Sequence, residues 1–337
     1  MMGAISIGLR GRSYEKMSKF LHKELDQFID NEAWVKSESA KWWSKLRRKS
    51  VIEKSSETLI IYPGQLSAHY ERISRQIFRR LDTKMDPSNA DESVYEINWW
   101  IRRLVISGNI WKVVKKSMVS ENKILFISTV YFQLPWKSEF YKYGENQLFW
   151  GDNEEFSKVE MICQLDEVRV YIQPKDNFKV IFKRAFTGVL SLVIVVRDYA
   201  YSTDEMLNSF KVEQLPTYLD QSQKDFVKFV LPKLKIPVSY DFVPALNKLG
   251  LTDIFYRSDT DFGRMTNHSV MMENLIQVSS VSVDLFGINS YTGGDAATSA
   301  ESGVDELRVD RTFLFLLYSI TENLVHFSAL VNKPTVG

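Results

Sequence analysis

What most restricts the fold of this chain is a change in the spacing of its apolar residues near residue 124. Before that point apolar residues recur every three or four positions, as on one face of a helix; after it they gather into short β-branched and aromatic runs of strand length. The helical part opens at Ser13-Tyr14-Glu15-Lys16, a helix-start pattern ahead of Met17, Phe20 and Leu21, and further helices are predicted over 39–49, 68–81 and 92–105. One strand interrupts them, Thr58-Leu59-Ile60-Ile61-Tyr62, closed by Pro63-Gly64. Strands are predicted over 124–132, 168–172, 189–196 and 226–231, and a helix over 241–249 is stopped by Gly250. Residues 295–309 show no consistent period and no large apolar face, which predicts a long exposed loop. Runs at 313–320 and 324–331, separated by Thr321-Glu322-Asn323, predict a closing hairpin. The class this implies is α+β.

Composition excludes several alternatives. Cys163 is the single cysteine, so no internal disulfide framework exists, and Cys163 itself reads as a small buried hydrophobe. The four histidines (His22, His69, His268, His326) are scattered without zinc-type spacing, and no cofactor motif is present. Forty-five per cent hydrophobic residues suffice for a core, so the fold must stand on packing. Lys plus Arg number 43 against 42 Asp plus Glu, a balance that gives no global field toward nucleic acid or membrane. No apolar run is long enough to cross a bilayer, and residues 1–12 are too glycine-punctuated for a secretion signal, which leaves the compartment open.

Several separate segments then appear in an order that resembles the serpin family. They are Leu125-Phe126-Ile127-Ser128-Thr129-Val130-Tyr131-Phe132, Trp136-Lys137 with Phe140, Val159-Glu160-Met161, and Leu231-Pro232-Lys233-Leu234. They continue with Tyr240-Asp241-Phe242, Leu249-Gly250-Leu251-Thr252-Asp253-Ile254-Phe255, Asp261-Phe262-Gly263-Arg264-Met265-Thr266, Phe313-Leu314-Phe315 and Val331-Asn332-Lys333-Pro334. The resemblance runs from about residue 2 to the end. It implies a single serpin-like domain over 1–337, with helices around a large main sheet and smaller sheets, and a protein that inhibits serine proteases rather than an enzyme. Residues 1–12 resemble the tail of the family's second helix, so the family's first helix, one sheet strand and most of the second helix have no counterpart, the expected mark of an incomplete gene product.

The resemblance also assigns a reactive loop, about 287–309, that a protease attacks as substrate and whose hinge side then inserts as a new sheet strand. Gly287 is the hinge glycine, followed by Ile288, Asn289, Ser290, Tyr291, Thr292, Gly293 and Gly294. Counting fourteen residues from Gly287 places the scissile bond at Glu301-Ser302, and an acidic residue there implies an acid-specific serine protease with a basic pocket. Ile288, Ser290, Thr292 and Gly294 would share the buried face on insertion, because side chains alternate along a strand. Trp136, Ser128, Gln277 and Lys233 fall where the family opens its sheet. The hinge departs from the family pattern: Leu285 and Phe286 replace acidic residues, Leu285 thereby removing a carboxylate that could pair with Lys233, and Ser290-Tyr291-Thr292-Gly293-Gly294 replaces an alanine run. A non-inhibitory binding or carrier serpin therefore stays open as the alternative.

Lys41, Lys45 and Arg48, with Lys49 beside them, form a basic helical stripe, while Trp42 and Leu46 are predicted to point inward. The stripe resembles the helix that binds heparin in some serpins, which implies a sulfated polysaccharide partner; a solvated basic face is the plainer reading. Arg72, Arg75 and Arg79 form a second stripe. Ser302, His326 and Asp310 could be drawn as a hydrolytic triad, but no nucleophile-elbow motif surrounds the serine. Trp99 and Trp100 read as packing residues, and Asn267-His268-Ser269 matches the glycosylation pattern of secreted chains. The family favours an extracellular monomer; a cytoplasmic one stays open.

Overall fold

The computed structural model describes residues 1–22, 32–50, 56–78, 80–104, 112–131, 134–136, 138–152, 155–184, 190–252, 254–255, 261–288 and 303–334. In chain order the helices are α1 (Met2–Ser6), α2 (Gly11–Phe20), α3 (Glu38–Ser50), α4 (Ala68–Phe78), α5 (Ala90–Leu104), α6 (Thr203–Ser209), α7 (Leu215–Gln221) and α8 (Val243–Lys248). The strands are β1 (Ser56–Tyr62), β2 (Arg80–Lys84), β3 (Lys123–Tyr131), β4 (Leu134–Pro135), β5 (Tyr141–Lys142), β6 (Gln147–Trp150), β7 (Phe156–Val159), β8 (Met161–Ile172) and β9 (Phe178–Arg184). They continue as β10 (Leu190–Arg197), β11 (Gln223–Pro232), β12 (Leu234–Asp241), β13 (Met271–Val283), β14 (Gly287–Ile288), β15 (Glu306–Arg308), β16 (Phe313–Ser319) and β17 (Leu324–Val331). The chain packs as two compact units, Met1–Tyr131 with Pro237–Ser280, and Phe132–Ile236 with Val281–Gly337.

In the first unit β2, β1, β3 and β13 lie side by side, with β1 parallel to β2, antiparallel to β3, and β3 parallel to β13. Leu59 and Ile61 of β1 face α5 and join Ile97, Ile101, Leu125, Ile127, Ile276 and Val278 in one core. Ile60 and Tyr62 point the other way, against Ile5, Leu9, Tyr70, Ile73 and Ile77. A sheet covered on both faces needs strands that are apolar throughout, which is why 124–127 is an unbroken apolar run. Each such side chain contributes roughly 1.5–3 kcal/mol on burial. A register shift between Met272 and Asn274 lets Met272 and Leu275 share a face three residues apart.

In the second unit the strands run β15-β11-β8-β9-β10-β16-β17, with β5 on β8, and β6 and β7 form a separate hairpin. β10 is buried from Leu190 through Val196, with Val193 paired to Phe182 on one side and Leu316 on the other. Its outer face is covered by Met206 of α6 and by Leu215 and Tyr218 of α7. A reciprocal capping box starts α6, the Ser202 hydroxyl accepting from Glu205 N–H and the Glu205 carboxylate accepting from Ser202 N–H.

The structure moves several predicted boundaries. The helix predicted over 68–81 ends at Phe78, because Arg80 and Leu81 pair in parallel with Thr58 and Leu59. Ser13 lies inside α2, buried, rather than capping it. Asp241 ends β12, and its carboxylate accepts Val243 N–H at 3.1 Å, so the helix predicted from 241 starts two residues later. Within 295–309 the described end is not exposed loop: Glu306–Arg308 form β15 and Val309 is buried. On α3 Leu46 packs against the core as predicted, but the buried tryptophan is Trp43, edge-on to Phe78 at 5.6 Å, whereas Trp42 is 39% exposed.

Candidate functional site: the loop hinge and its anchors

The site is built where β13 ends. Val283 pairs with Ile288, both fully buried, and Asp284-Leu285-Phe286-Gly287 reverse the chain between them. Asp284 N–H donates to the Gly287 carbonyl at 3.1 Å, and the Asp284 carboxylate accepts from Phe286 N–H at 2.9 Å and Gly287 N–H at 3.2 Å. This is the local geometry an aspartate favours in a turn, its side chain standing in for a backbone carbonyl. Gly287 and Ile288 also pair antiparallel with Pro135 and Leu134, so β14 lies between the end of β13 and β4.

Trp136 and Phe140 hold this turn from outside. Trp136 donates its backbone N–H to the Phe286 carbonyl at 3.0 Å and its indole N–H to the Asp284 carbonyl at 2.9 Å. Phe140 N–H donates to the Leu285 carbonyl at 2.8 Å, and the Trp136 and Phe140 rings lie 5.2 Å apart. All four carbonyls of 284–287 are thereby hydrogen-bonded, as a partly buried turn requires.

Lys233 lies near this turn. Its Nζ is 3.4 Å from both Glu160 carboxylate oxygens, so Glu160 supplies the carboxylate that Leu285 does not. Burial pushes the Asp284 carboxyl above the usual aspartate range, against the opposing pull of its two amide donors and the Lys233 charge. An acid with a raised folded pKa contributes stability that is fully present below its unfolded pKa and is lost as pH rises through the folded value. Asp284→Asn, which keeps an acceptor and never ionises, is therefore expected to gain stability relative to the parent as pH rises from 4 to 8. Asp284→Ala, which leaves two amides without an acceptor, should lose about 1–3 kcal/mol. Urea unfolding of all three proteins across that pH range checks both; parallel pH profiles for parent and Asn variant would refute the assignment.

The far end of the predicted loop is tied to the other sheet. Lys228, Phe229 and Val230 of β11 pair in parallel with Glu306, Leu307 and Arg308, and Val309 N–H donates to the Val230 carbonyl at 2.9 Å. Tyr143 O–H donates to Glu306 at 2.8 Å, and Arg308 donates to the Gln147 side-chain carbonyl at 2.9 Å. Burial together with the Glu306 carboxylate raises the Tyr143 phenol. Asn289, Ser290, Tyr291, Thr292, Gly293, Gly294, Glu301 and Ser302 lie outside the described residues. The two described ends of the predicted loop, Gly287-Ile288 and 306–309, thus lie in different sheets, the first between β13 and β4 and the second beginning on the edge strand β15.

The other predicted residues separate. Ser128 and Gln277 are register partners on β3 and β13, Ser128 buried and Gln277 half-buried. Lys41, Lys45 and Arg48 are all exposed on α3, Lys41 being paired with Glu38 at 2.6 Å. Lys49 is in the same helix. In the second stripe Arg75 pairs with Glu71 at 2.8 Å, and Arg79 lies outside the described residues. Trp100 packs against the α5 core, whereas Trp99 is 46% exposed beneath the Arg103 guanidinium. Cys163 is buried, and burial raises its thiol. The Asp310 carboxylate is taken by Arg311 at 2.9 Å and by Tyr199 O–H at 3.3 Å, which leaves the imagined triad without its orienting acid. Asn267 is exposed. Sequence reasoning passed over Asp284 and Glu160; the signal available was an aspartate three residues before a glycine, the spacing of a side-chain-closed turn.

Comparison with known proteins agrees with this architecture. The family model "Serpin (serine protease inhibitor)" matches residues 1–334. Ovalbumin of Gallus gallus is 23% identical over 249 residues, which cover 73% of this chain and 64% of ovalbumin. Serine proteinase inhibitor 2 of Variola virus is 23% identical over 339 residues, covering 97% of this chain and 90% of that protein. The crystal structure of native protease nexin-1 with heparin superposes with a TM-score of 0.83 at 18% identity, over 99% of this chain and 90% of that one. The turn at 284–287, the strands that flank the predicted loop and the sheet order therefore sit in a chain that belongs to the serpin family, the serine protease inhibitors.

Proposed function

We propose that this serpin inhibits a serine protease by offering the loop of about residues 287–309 as substrate, cut at Glu301-Ser302, with the hinge from Gly287 to Gly294 then entering the main sheet. The observation that carries the reading is the position of β14: Gly287 and Ile288 already occupy a strand place between Val283 and Leu134, with Ile288 buried. On insertion in that register Ile288 would share its face with Ser290, Thr292 and Gly294, which are uncharged, so the inserted strand would bury no charge. Tyr291 and Asn289 would fall on the opposite face of such a strand. Glu301 selects a protease whose pocket supplies a compensating Arg or Lys.

A second reading, a polyanion-binding serpin, is supported by the exposed Lys41, Lys45 and Arg48 on one face of α3 and by a structural relative solved with heparin. Incubation with a panel of serine proteases that includes acid-specific ones, followed by denaturing electrophoresis and mass analysis, tests the first. A denaturant-resistant complex and a C-terminal fragment beginning at Ser302 are expected; cleavage by every protease without any complex would overturn inhibition. The same assay with added heparin reads the second as an acceleration of complex formation.

A further inference from the structure

We propose that the outer face of the β6–β7 hairpin is a docking surface for the body of the protease held on the loop. The inference rests on the inhibitory reading above and names a second contact of the same encounter. The hairpin pairs Leu148 with Lys158 and Trp150 with Phe156. Its inner face is ordinary core: Phe149 and Val159 are buried, and Phe149 meets Phe313 edge-on at 6.3 Å. An antiparallel pair with one buried face is expected to carry polar residues on the other. Here the other face carries Leu148, Trp150 and Phe156, exposed by 42, 41 and 64%. The Trp150 and Phe156 rings lie 5.7 Å apart, and exposed Tyr199 stands beside the same strand end, under the Arg311 guanidinium. An exposed face of this kind, apolar and aromatic with the exposed Lys158 ammonium on it, is the composition of a binding patch rather than of a solvated hairpin.

Its position identifies the occupant. Trp150 N–H donates to the Asp310 carbonyl at 2.7 Å and Thr312 N–H donates to the Trp150 carbonyl at 2.9 Å. Gln147 of β6 holds Arg308 of β15. The hairpin is therefore hydrogen-bonded to the C-terminal anchor of the loop, and Asp310 follows the candidate bond by nine residues. A protease seated on Glu301-Ser302 must cover the ground beside that anchor, because an enzyme is far wider than the few residues in its cleft. The patch fits an apolar rim next to the protease's active site, with a carboxylate to meet Lys158.

The test uses the full chain and the serine protease that cleaves the loop fastest, both active and with its catalytic serine replaced by alanine. Phe156→Ser, the Trp150→Ala/Phe156→Ala double variant and Lys158→Glu are compared with the parent for the second-order rate of loop cleavage and for affinity to the inactive protease. Both should fall by about tenfold or more in the double variant and severalfold in Phe156→Ser, as for truncation of interface anchors. Phe156→Ser should leave the thermal midpoint unmoved, which separates docking from folding. A parent cut and trapped at Glu301 with variants unchanged within twofold would overturn the docking surface alone. A parent that no protease cuts or binds would overturn the inhibitory reading and this inference with it. A concentration-dependent dimer lost in Phe156→Ser would assign the patch to a second copy and overturn it too.

Discussion

Replacing Trp136 by alanine is expected to cost about 3–5 kcal/mol, the range for deleting a buried aromatic and leaving part of its volume empty. The side chain is 5% exposed, stacks obliquely on Phe140, and gives its indole N–H to the Asp284 carbonyl. Its loss removes packing under the hinge turn and leaves that carbonyl without its donor. Trp136→Phe keeps most of the packing and loses only the donor, so about 1–3 kcal/mol is expected. Urea unfolding of the three proteins measures both numbers. An alanine variant within 1 kcal/mol of the parent would show that the hinge is held by something other than this tryptophan, and a phenylalanine variant as unstable as alanine would assign the effect to the hydrogen bond alone. Because β14 is held between Val283 and Leu134, the alanine variant should also become more susceptible to proteolysis between residues 284 and 288.

Glu301→Gln is expected to slow attack by a glutamate-specific protease by about 10²- to 10³-fold. The substitution keeps shape and removes charge, so it leaves a desolvated Arg or Lys in the enzyme's pocket without its counter-charge, a loss of about 3–4 kcal/mol. Glu301→Arg should transfer susceptibility to proteases that cut after basic residues. The rate of appearance of the C-terminal fragment, read by mass, decides it. Equal rates for parent and Gln variant, or a fragment that begins elsewhere than Ser302, would move the bond.

These two residues differ in how they could be found. Trp136 and Glu301 were both reached through resemblance, but only Trp136 has its role explained by neighbours in the structure, and those neighbours were not readable in the sequence. The turn that Trp136 holds is nearly 150 residues away along the chain. Asp284 shows the same limit: the local Asp-Leu-Phe-Gly pattern was visible, whereas its burial and the nearby Lys233–Glu160 pair were not.

Elements whose signal is local are legible in the order of residues. The runs predicted at 124–132 and 189–196 give β3 and β10, buried on both faces over 124–129 and 190–196, and the hairpin at 313–331 forms because two such runs are joined by a short polar turn. Tertiary structure alone decided the rest. Leu81 continues the helical spacing of Ile77 yet sits in β2, since pairing with β1 supplies backbone partners that another helical turn would not. Glu306-Leu307-Arg308 has no apolar pattern, and it becomes a strand only because β11 offers an open edge. Trp42 and Trp43 are chemically identical neighbours about 100° apart on a helix, so which is buried depends on where Phe78 lies. Periodicity is a property of a few adjacent residues, whereas the pairing that places β14 beside β4, and the β6–β7 hairpin beside residues 310–312, depends on segments distant in the chain, which local pattern does not encode.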